Sequence, residues 1–213
     1  MDKMTIPALH DMKRNGRKIV GIVAWDFQIA QIADRAGVEI VSVGDSVGVN
    51  LWGRSDPSEI ALEEMIIVCQ AVHRGTKRAI VSCDFPFGPL QEGVDSAVRA
   101  AIRLVREGGA DMVKLDGAAD FPGALTAIVH AGIPVFAQFE MNPQTADNIT
   151  PTLVAHAKRL EAEGASLLDF KYSGPVAGPA VVSAVSIPVV GGMGGGPWLD
   201  GRIRMAHAAI GLA

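Results

Sequence analysis

Apolar residues in this chain come in short, dense runs separated by longer segments of helical periodicity. Lys18–Ala24, Glu39–Val43, Ala79–Asp84, Asp111–Leu115, Ile133–Gln138, Ser166–Phe170 and Pro188–Gly191 are rich in Val and Ile. Continuous β-branched runs of this length predict strands buried on both faces. The intervening segments Phe27–Ala36, Glu59–Arg74, Val94–Glu107, Pro122–His130, Pro151–Glu163 and Gly178–Val185 predict helices; Ile60, Met65, Val68 and Val72 show the spacing. A lead-in amphipathic helix is expected over Ile6–Asn15, and Gly37 is placed to cap the helix before it. Gly48–Ser58 reads as a long connection and Phe85–Pro89, with two prolines, as a rigid loop.

Strand and helix alternate, and nothing between the strands has the signature of an antiparallel hairpin. Parallel strands with helical crossovers follow, which fits a (βα)8 TIM barrel or an open doubly wound sheet. Three runs deliver an acid at their carboxyl end: Asp45 after Val41-Ser42-Val43-Gly44, Asp84 after Cys83, and Asp116 after Leu115. Acids at the ends of several different strands favour the barrel, whose sites lie at that face. Its eighth strand must come from about Ile203–Ala208, where the signal is weak. The chain stops at Ala213 and leaves no length for an eighth helix. Residues 1–213 are expected to form one TIM-barrel domain.

Composition narrows the partners. With 49% hydrophobic residues, a net charge of −4 and no basic run, the chain suits neither nucleic acid nor an anionic membrane surface. No apolar stretch reaches membrane-spanning length, and the N-terminus lacks a secretion signal, so the expected location is cytoplasmic. Cys69 and Cys83 are too few for a disulfide framework and read as reduced core thiols. The five histidines show no ligand spacing. Trp25, Trp52 and Trp198 fall at strand ends or loops, where they either wall a pocket or cover the rim. The run Gly191–Gly196 either cradles a phosphate or lets backbone approach closely.

V-G-D-S-V-G at Val43–Gly48, A-V-H-R-G at Ala71–Gly75, D-F-P-F at Asp84–Phe87 and M-V-K-L-D-G at Met112–Gly117 occur in that order. A-G-I-P-V at Ala131–Val135, N-P-Q-T at Asn142–Thr145 and D-G-R at Asp200–Arg202 continue the series. On these motifs, from about Thr5 to Leu212, the chain resembles the ketopantoate hydroxymethyltransferases of the phosphoenolpyruvate/pyruvate barrel superfamily. The resemblance implies a Mg²⁺-dependent barrel that transfers a hydroxymethyl group from 5,10-methylenetetrahydrofolate to a branched 2-oxo acid. It implies metal-associated acids at Asp45 and Asp84, a substrate-carboxylate contact at Ser46, and a lysine near the substrate at Lys114. Asp116 stands where the family has a glutamate near the metal.

Other positions depart from the family. Its strand-six glutamate, in a V-L-E context, becomes Lys171 in Asp169-Phe170-Lys171, and its histidine on strand five becomes Gln138. The loop after the P-Q-S motif is shortened between Thr145 and Pro151. The expected site therefore has Asp45, Asp84 and Asp116 for metal, Ser46, Lys114 and Gln138 for substrate, and Lys114 with Lys171 or Asp169 for the chemistry. The expected reaction is carbon–carbon bond making or breaking on a 2-oxo acid through an enolate. Two alternatives stand beside it: a non-catalytic barrel paralogue, and a Schiff-base aldolase using Lys171. The uncovered barrel flank points to a homo-oligomer.

Overall fold

The computed structural model describes residues 2–140, 149–209 and 211. The N-P-Q-T motif and the shortened loop up to residue 148 lie outside them. Eight parallel strands close into a barrel in sequence order: β1 (Ile19–Val23), β2 (Ile40–Val43), β3 (Ile80–Asp84), β4 (Met112–Leu115), β5 (Val135–Glu140), β6 (Leu167–Lys171), β7 (Val189–Gly191) and β8 (Gly201–Met205). The described α-helices are α1 (Ile6–Arg14), α2 (Phe27–Ala36), α3 (Val47–Asn50), α4 (Leu62–Gly75), α5 (Phe87–Gln91), α6 (Val94–Arg103), α7 (Pro122–His130), α8 (Thr150–Ala162), α9 (Ala177–Ala184) and α10 (Ala206–Ala209), with short 3-10 or π turns at Pro57–Glu59, Leu104–Gly108 and Ala118–Asp120. None is long and apolar enough to cross a membrane.

Several boundaries differ from expectation for local reasons. The eighth strand begins at Gly201, two residues before the expected start, and gives way at Ala206 to a single helical turn. Arg202 and Arg204 interrupt its apolar pattern, yet β8 pairs with β1 along five register positions, Ile19↔Gly201 to Val23↔Met205. That seam is tight: a Cβ on Gly201 would lie 2.2 Å from the Ile19 carbonyl oxygen. The expected rigid loop Phe85–Pro89 contains a helix instead, α5, with Pro89 in its first turn, where a missing N–H breaks no intrahelical bond. Strands β5 and β6 each run further than expected, which makes Glu140 and Lys171 register partners.

Successive barrel residues point alternately in and out. The inward positions at the amino-terminal end, Ile19, Ile40, Ile80, Met112, Phe136, Leu167, Val190 and Ile203, form one buried apolar layer with Leu9 and Met12 of α1. Helix α1 thus closes that end. It is pinned there by Lys13, whose ammonium bonds the carbonyls of Val182 and Ile187 and pairs with Asp200 at 3.1 Å, and by His10 on the Ser166 carbonyl. The second apolar cluster lies between the outer strand faces and the helices, with Met65, Val68, Cys69 and Val72 of α4 in it.

Asp34 at the end of α2 accepts the backbone N–H groups of Lys77, Arg78 and Ala79 at 2.7–3.0 Å. Its burial works against ionisation, but those three donors outweigh it and hold the carboxyl below the usual carboxylate range. The chain leading into β3, and hence Asp84 at its far end, is anchored by this acid. Gly37 caps α2 in the left-handed conformation at φ 88°, as expected from the sequence.

Candidate active site

Above the sealed end the barrel lining turns polar. The inward face of β3 reads Ile80, Ser82, Asp84; of β4 and its end, Met112, Lys114, Asp116; of β5, Phe136, Gln138, Glu140; of β6, Leu167, Asp169, Lys171. Each strand so carries one apolar residue at the base, one polar residue in the middle and one charged residue at the mouth. Between β5 and β6 these levels are aligned, with Gln138↔Asp169 and Glu140↔Lys171 as register partners, whereas β4 is offset by one inward position from β3, so that Asp84 at the mouth pairs with Lys114.

Lys114 is the hub. Its ammonium lies 2.5 Å from Asp116, 3.5 Å from Asp84 and 3.7 Å from Asp169, and it donates to Gln138 Oε1 at 3.2 Å. Burial alone would lower its pKa, but Asp116, Asp84 and Asp169 together hold it well above the ordinary lysine value. It therefore stays a fixed cation in the barrel centre.

At the mouth, one carboxylate oxygen each from Asp45, Asp84 and Asp116 lies within 4.8 Å of the others. Burial pushes Asp84 well above the usual carboxylate range, with Asp116 and Asp45 pushing the same way against Lys114. Burial and Asp116 likewise raise Asp45. Among the described residues, Asp84 Oδ1 is buried without a hydrogen-bond donor, and so is Ser82 Oγ on the same strand face. Three hard oxygen donors, crowded enough to resist ionisation and left partly unpaired, could hold a divalent cation.

Asp169 is 3% exposed. Burial raises its pKa, and Lys114 and the Gly192 N–H, which donates to Oδ1 at 2.9 Å, pull it back. The glycine-rich stretch after β7 acts here through close backbone approach. Its Gly192 amide serves Asp169, while Arg204 collects the carbonyls of Gly191, Gly192 and Gly194 and Arg202 that of Gly195. Lys171 sits 3.5 Å from Glu140, whereas Asp169, its expected partner, faces Lys114.

Ser46 follows Asp45 at the start of α3, and its side chain makes no capping bond. Beside it, Trp25 at the end of β1 stacks on His207, ring centroids 4.2 Å apart. Among the described residues, Trp25 Nε1 and His207 Nδ1 are both buried without hydrogen-bond partners. Sequence reasoning missed Glu140, because β5 was ended too early, and missed the Trp25–His207 contact, which barrel closure makes across the length of the chain.

Residues 3–213 match the family described as Ketopantoate hydroxymethyltransferase. The 3-methyl-2-oxobutanoate hydroxymethyltransferase of Cyanothece sp. is 34% identical over 225 aligned residues, covering 99% of this chain and 85% of that protein. Its counterpart in Moorella thermoacetica is 35% identical over 222 residues, covering 99% and 82%. Among solved structures, 2,3-dimethylmalate lyase, a PEP mutase/isocitrate lyase superfamily member, superposes with a TM-score of 0.72 at 18% identity, over 98% of this chain and 82% of that one. That last likeness is one of fold.

Proposed function

The chain belongs to the ketopantoate hydroxymethyltransferase family, an enzyme family, and we propose that it makes or breaks a carbon–carbon bond on a small 2-oxo acid at the barrel mouth. The observation that carries this is the cluster of Asp45, Asp84 and Asp116 over the buried ammonium of Lys114. Asp45 and Asp84 would hold Mg²⁺, with Asp116 beside it. The bound cation would supply Lewis-acid stabilisation to charge developing on a keto oxygen.

The chain's own groups do the rest. Lys114, held as a cation, offers its N–H donors to the same developing charge without reorganisation. Asp169 takes the proton from C3 of the 2-oxo acid: it is fixed by the Gly192 amide, lies against Lys114, and has a pKa raised by burial. A general base works best when its pKa approaches the working pH. The C3–H electron pair becomes the enolate, which forms the new carbon–carbon bond to the one-carbon unit of 5,10-methylenetetrahydrofolate. Both carbon–nitrogen bonds to that unit break, a water supplies its hydroxyl, and tetrahydrofolate leaves carrying the protons, while in the reverse sense carbon–carbon cleavage regenerates the enolate. Gln138, donated to by Lys114, orients that ammonium beside the substrate. Lys171, engaged with Glu140, tunes the rim rather than forming a Schiff base.

Proton NMR of pyruvate, 2-oxobutyrate and 3-methyl-2-oxobutanoate in D₂O tests this. Exchange at C3 is expected with Mg²⁺, stops with a chelator, and falls at least about a hundredfold in Asp169→Asn. No exchange with any of the acids would overturn the proposal, and exchange that survives chelation would overturn the metal's part in it.

A further inference from the structure

Two lysines face the barrel interior, and they are held very differently. Lys114 is committed to Asp116, Asp84, Asp169 and Gln138. Lys171 stands two residues beyond Asp169 on the inward face of β6, at the mouth. Among the described residues its one acidic partner is Glu140, at 3.5 Å, longer than a well-formed N–H···O bond. The Glu140 side chain is 56% exposed against 22% for Lys171, so the acid reaches into solvent while the ammonium stays in the mouth. A lysine turned inward calls for an anion, and an exposed acid holds it weakly enough for an incoming anion to displace. Burial raises both Asp169 and Asp45, and the Lys171 charge opposes that at each, so its field spans the mouth from β6 to the end of β2.

The 2-oxo acid set out above has its keto oxygen by Asp84, Asp116 and Lys114 and its C3 by Asp169. Successive inward residues of a strand are about 6.6 Å apart, so the Lys171 backbone stands that far beyond Asp169 toward the mouth. A carboxylate carried on C3 places its oxygens roughly 2.4 Å beyond that carbon, and a charge-assisted hydrogen bond adds about 2.8 Å. The flexible four-carbon lysine stem covers the remainder. A methyl group on C3 offers the ammonium nothing. We propose that Lys171 is a specificity residue and that the site takes 2-oxo acids with a second carboxylate on C3, which displaces Glu140 and accepts the Lys171 N–H donors. This rests on the function proposed above and names its substrate class. Lys171 is also a position at which the sequence departs from its family, so the preference would set this chain apart from its relatives.

Oxaloacetate and 2-oxobutyrate test this, because they differ only in a carboxylate against a methyl group on C3. Each acid, the oxaloacetate freshly dissolved and cold, is titrated into the protein with Mg²⁺ in a calorimeter. The ratio of the two Kd values is taken within one protein, so a variant that is partly unfolded still reports it. Wild type should bind oxaloacetate at least about tenfold more tightly, the size of a hydrogen bond between charged groups. Lys171→Met keeps the length without the charge and should lower that preference about ten- to a hundredfold, whereas Lys171→Arg should retain most of it. Glu140→Gln removes the competing acid and should raise the preference about two- to fivefold. Competition for one ammonium requires these opposite signs; a merely structural pair would shift both variants the same way. A wild-type preference below about twofold, one that survives in Lys171→Met, or one that falls in Glu140→Gln would overturn the assignment of Lys171 alone. Binding of neither acid to wild type would overturn the functional proposal with it.

Discussion

Replacing Asp84 with Asn removes one of three crowded carboxylates while keeping the shape of the side chain. Oxygens of Asp45 and Asp116 lie no more than 4.8 Å from that of Asp84, so each repels it by at least about 3.5 kcal/mol at an effective dielectric constant of about 20. Lys114, at 3.5 Å, attracts it by about 4.7 kcal/mol on the same scale. The balance is about 2 kcal/mol against an ionised Asp84, and burial adds to it. In metal-free protein, Asp84→Asn should therefore melt about 4–8 °C above wild type. The sign depends on pH. A carboxyl whose pKa is raised by folding contributes stability below its unfolded pKa, and this is lost as pH rises through the folded value. Wild type should thus lose stability toward alkaline pH, and the variant's advantage should be larger at about pH 8.5 than at about pH 5.5. Magnesium reverses the ranking: at about a hundred times its Kd a bound cation stabilises wild type by about 2.7 kcal/mol, and the variant gains far less. Scanning calorimetry after chelation, with and without Mg²⁺, measures all of this. A variant that melts below wild type in chelator at the higher pH, or that gains equally from Mg²⁺, would refute the reasoning.

Two further substitutions test the scaffold. Asp34→Ala strips the acceptor from three backbone N–H groups and should cost about 2–4 kcal/mol in urea unfolding. Because folding lowers the Asp34 pKa, its contribution is present above the unfolded value and fades as pH falls through the folded one; the deficit should shrink below about pH 4, and a constant deficit would contradict this. Gly201→Ala places a Cβ 2.2 Å from the Ile19 carbonyl oxygen at the β1–β8 seam, so thermal melts should show a loss of about 3 kcal/mol; one below about 1 kcal/mol would mean the seam is looser than described.

The strands and their terminal acids were legible because parallel barrel strands are buried on both faces and read as unbroken apolar runs. Asp45, Asp84 and Asp116 stood out by ending those runs, and the structure brings all three together. Pairing across the barrel was not legible. Asp169 and Lys171 share a strand face, which suggested a mutual pair, yet neighbouring strands supply closer partners: Lys114 for the one and Glu140 for the other. The eighth strand was blurred because Arg202 and Arg204 leave the barrel wall to clamp the Gly191–Gly195 backbone, a role that shows in no local pattern. Trp25 and His207 meet only because β1 and β8 close the ring.

Helix α1 and the apolar layer above it close the amino-terminal end of the barrel, leaving the opposite end as the way in among the described residues. With Leu9 and Met12 filling the base, whatever reaches Lys114 must arrive past Asp45, Asp84 and Trp25 and depart the same way. Traffic is then last in, first out. On the function proposed above, a small acid lodged at depth would be trapped while a bulkier co-substrate occupied the rim, and the rim would have to empty before the acid or its product could escape. A compulsory order of binding and release would follow from one short helix on the face opposite the chemistry.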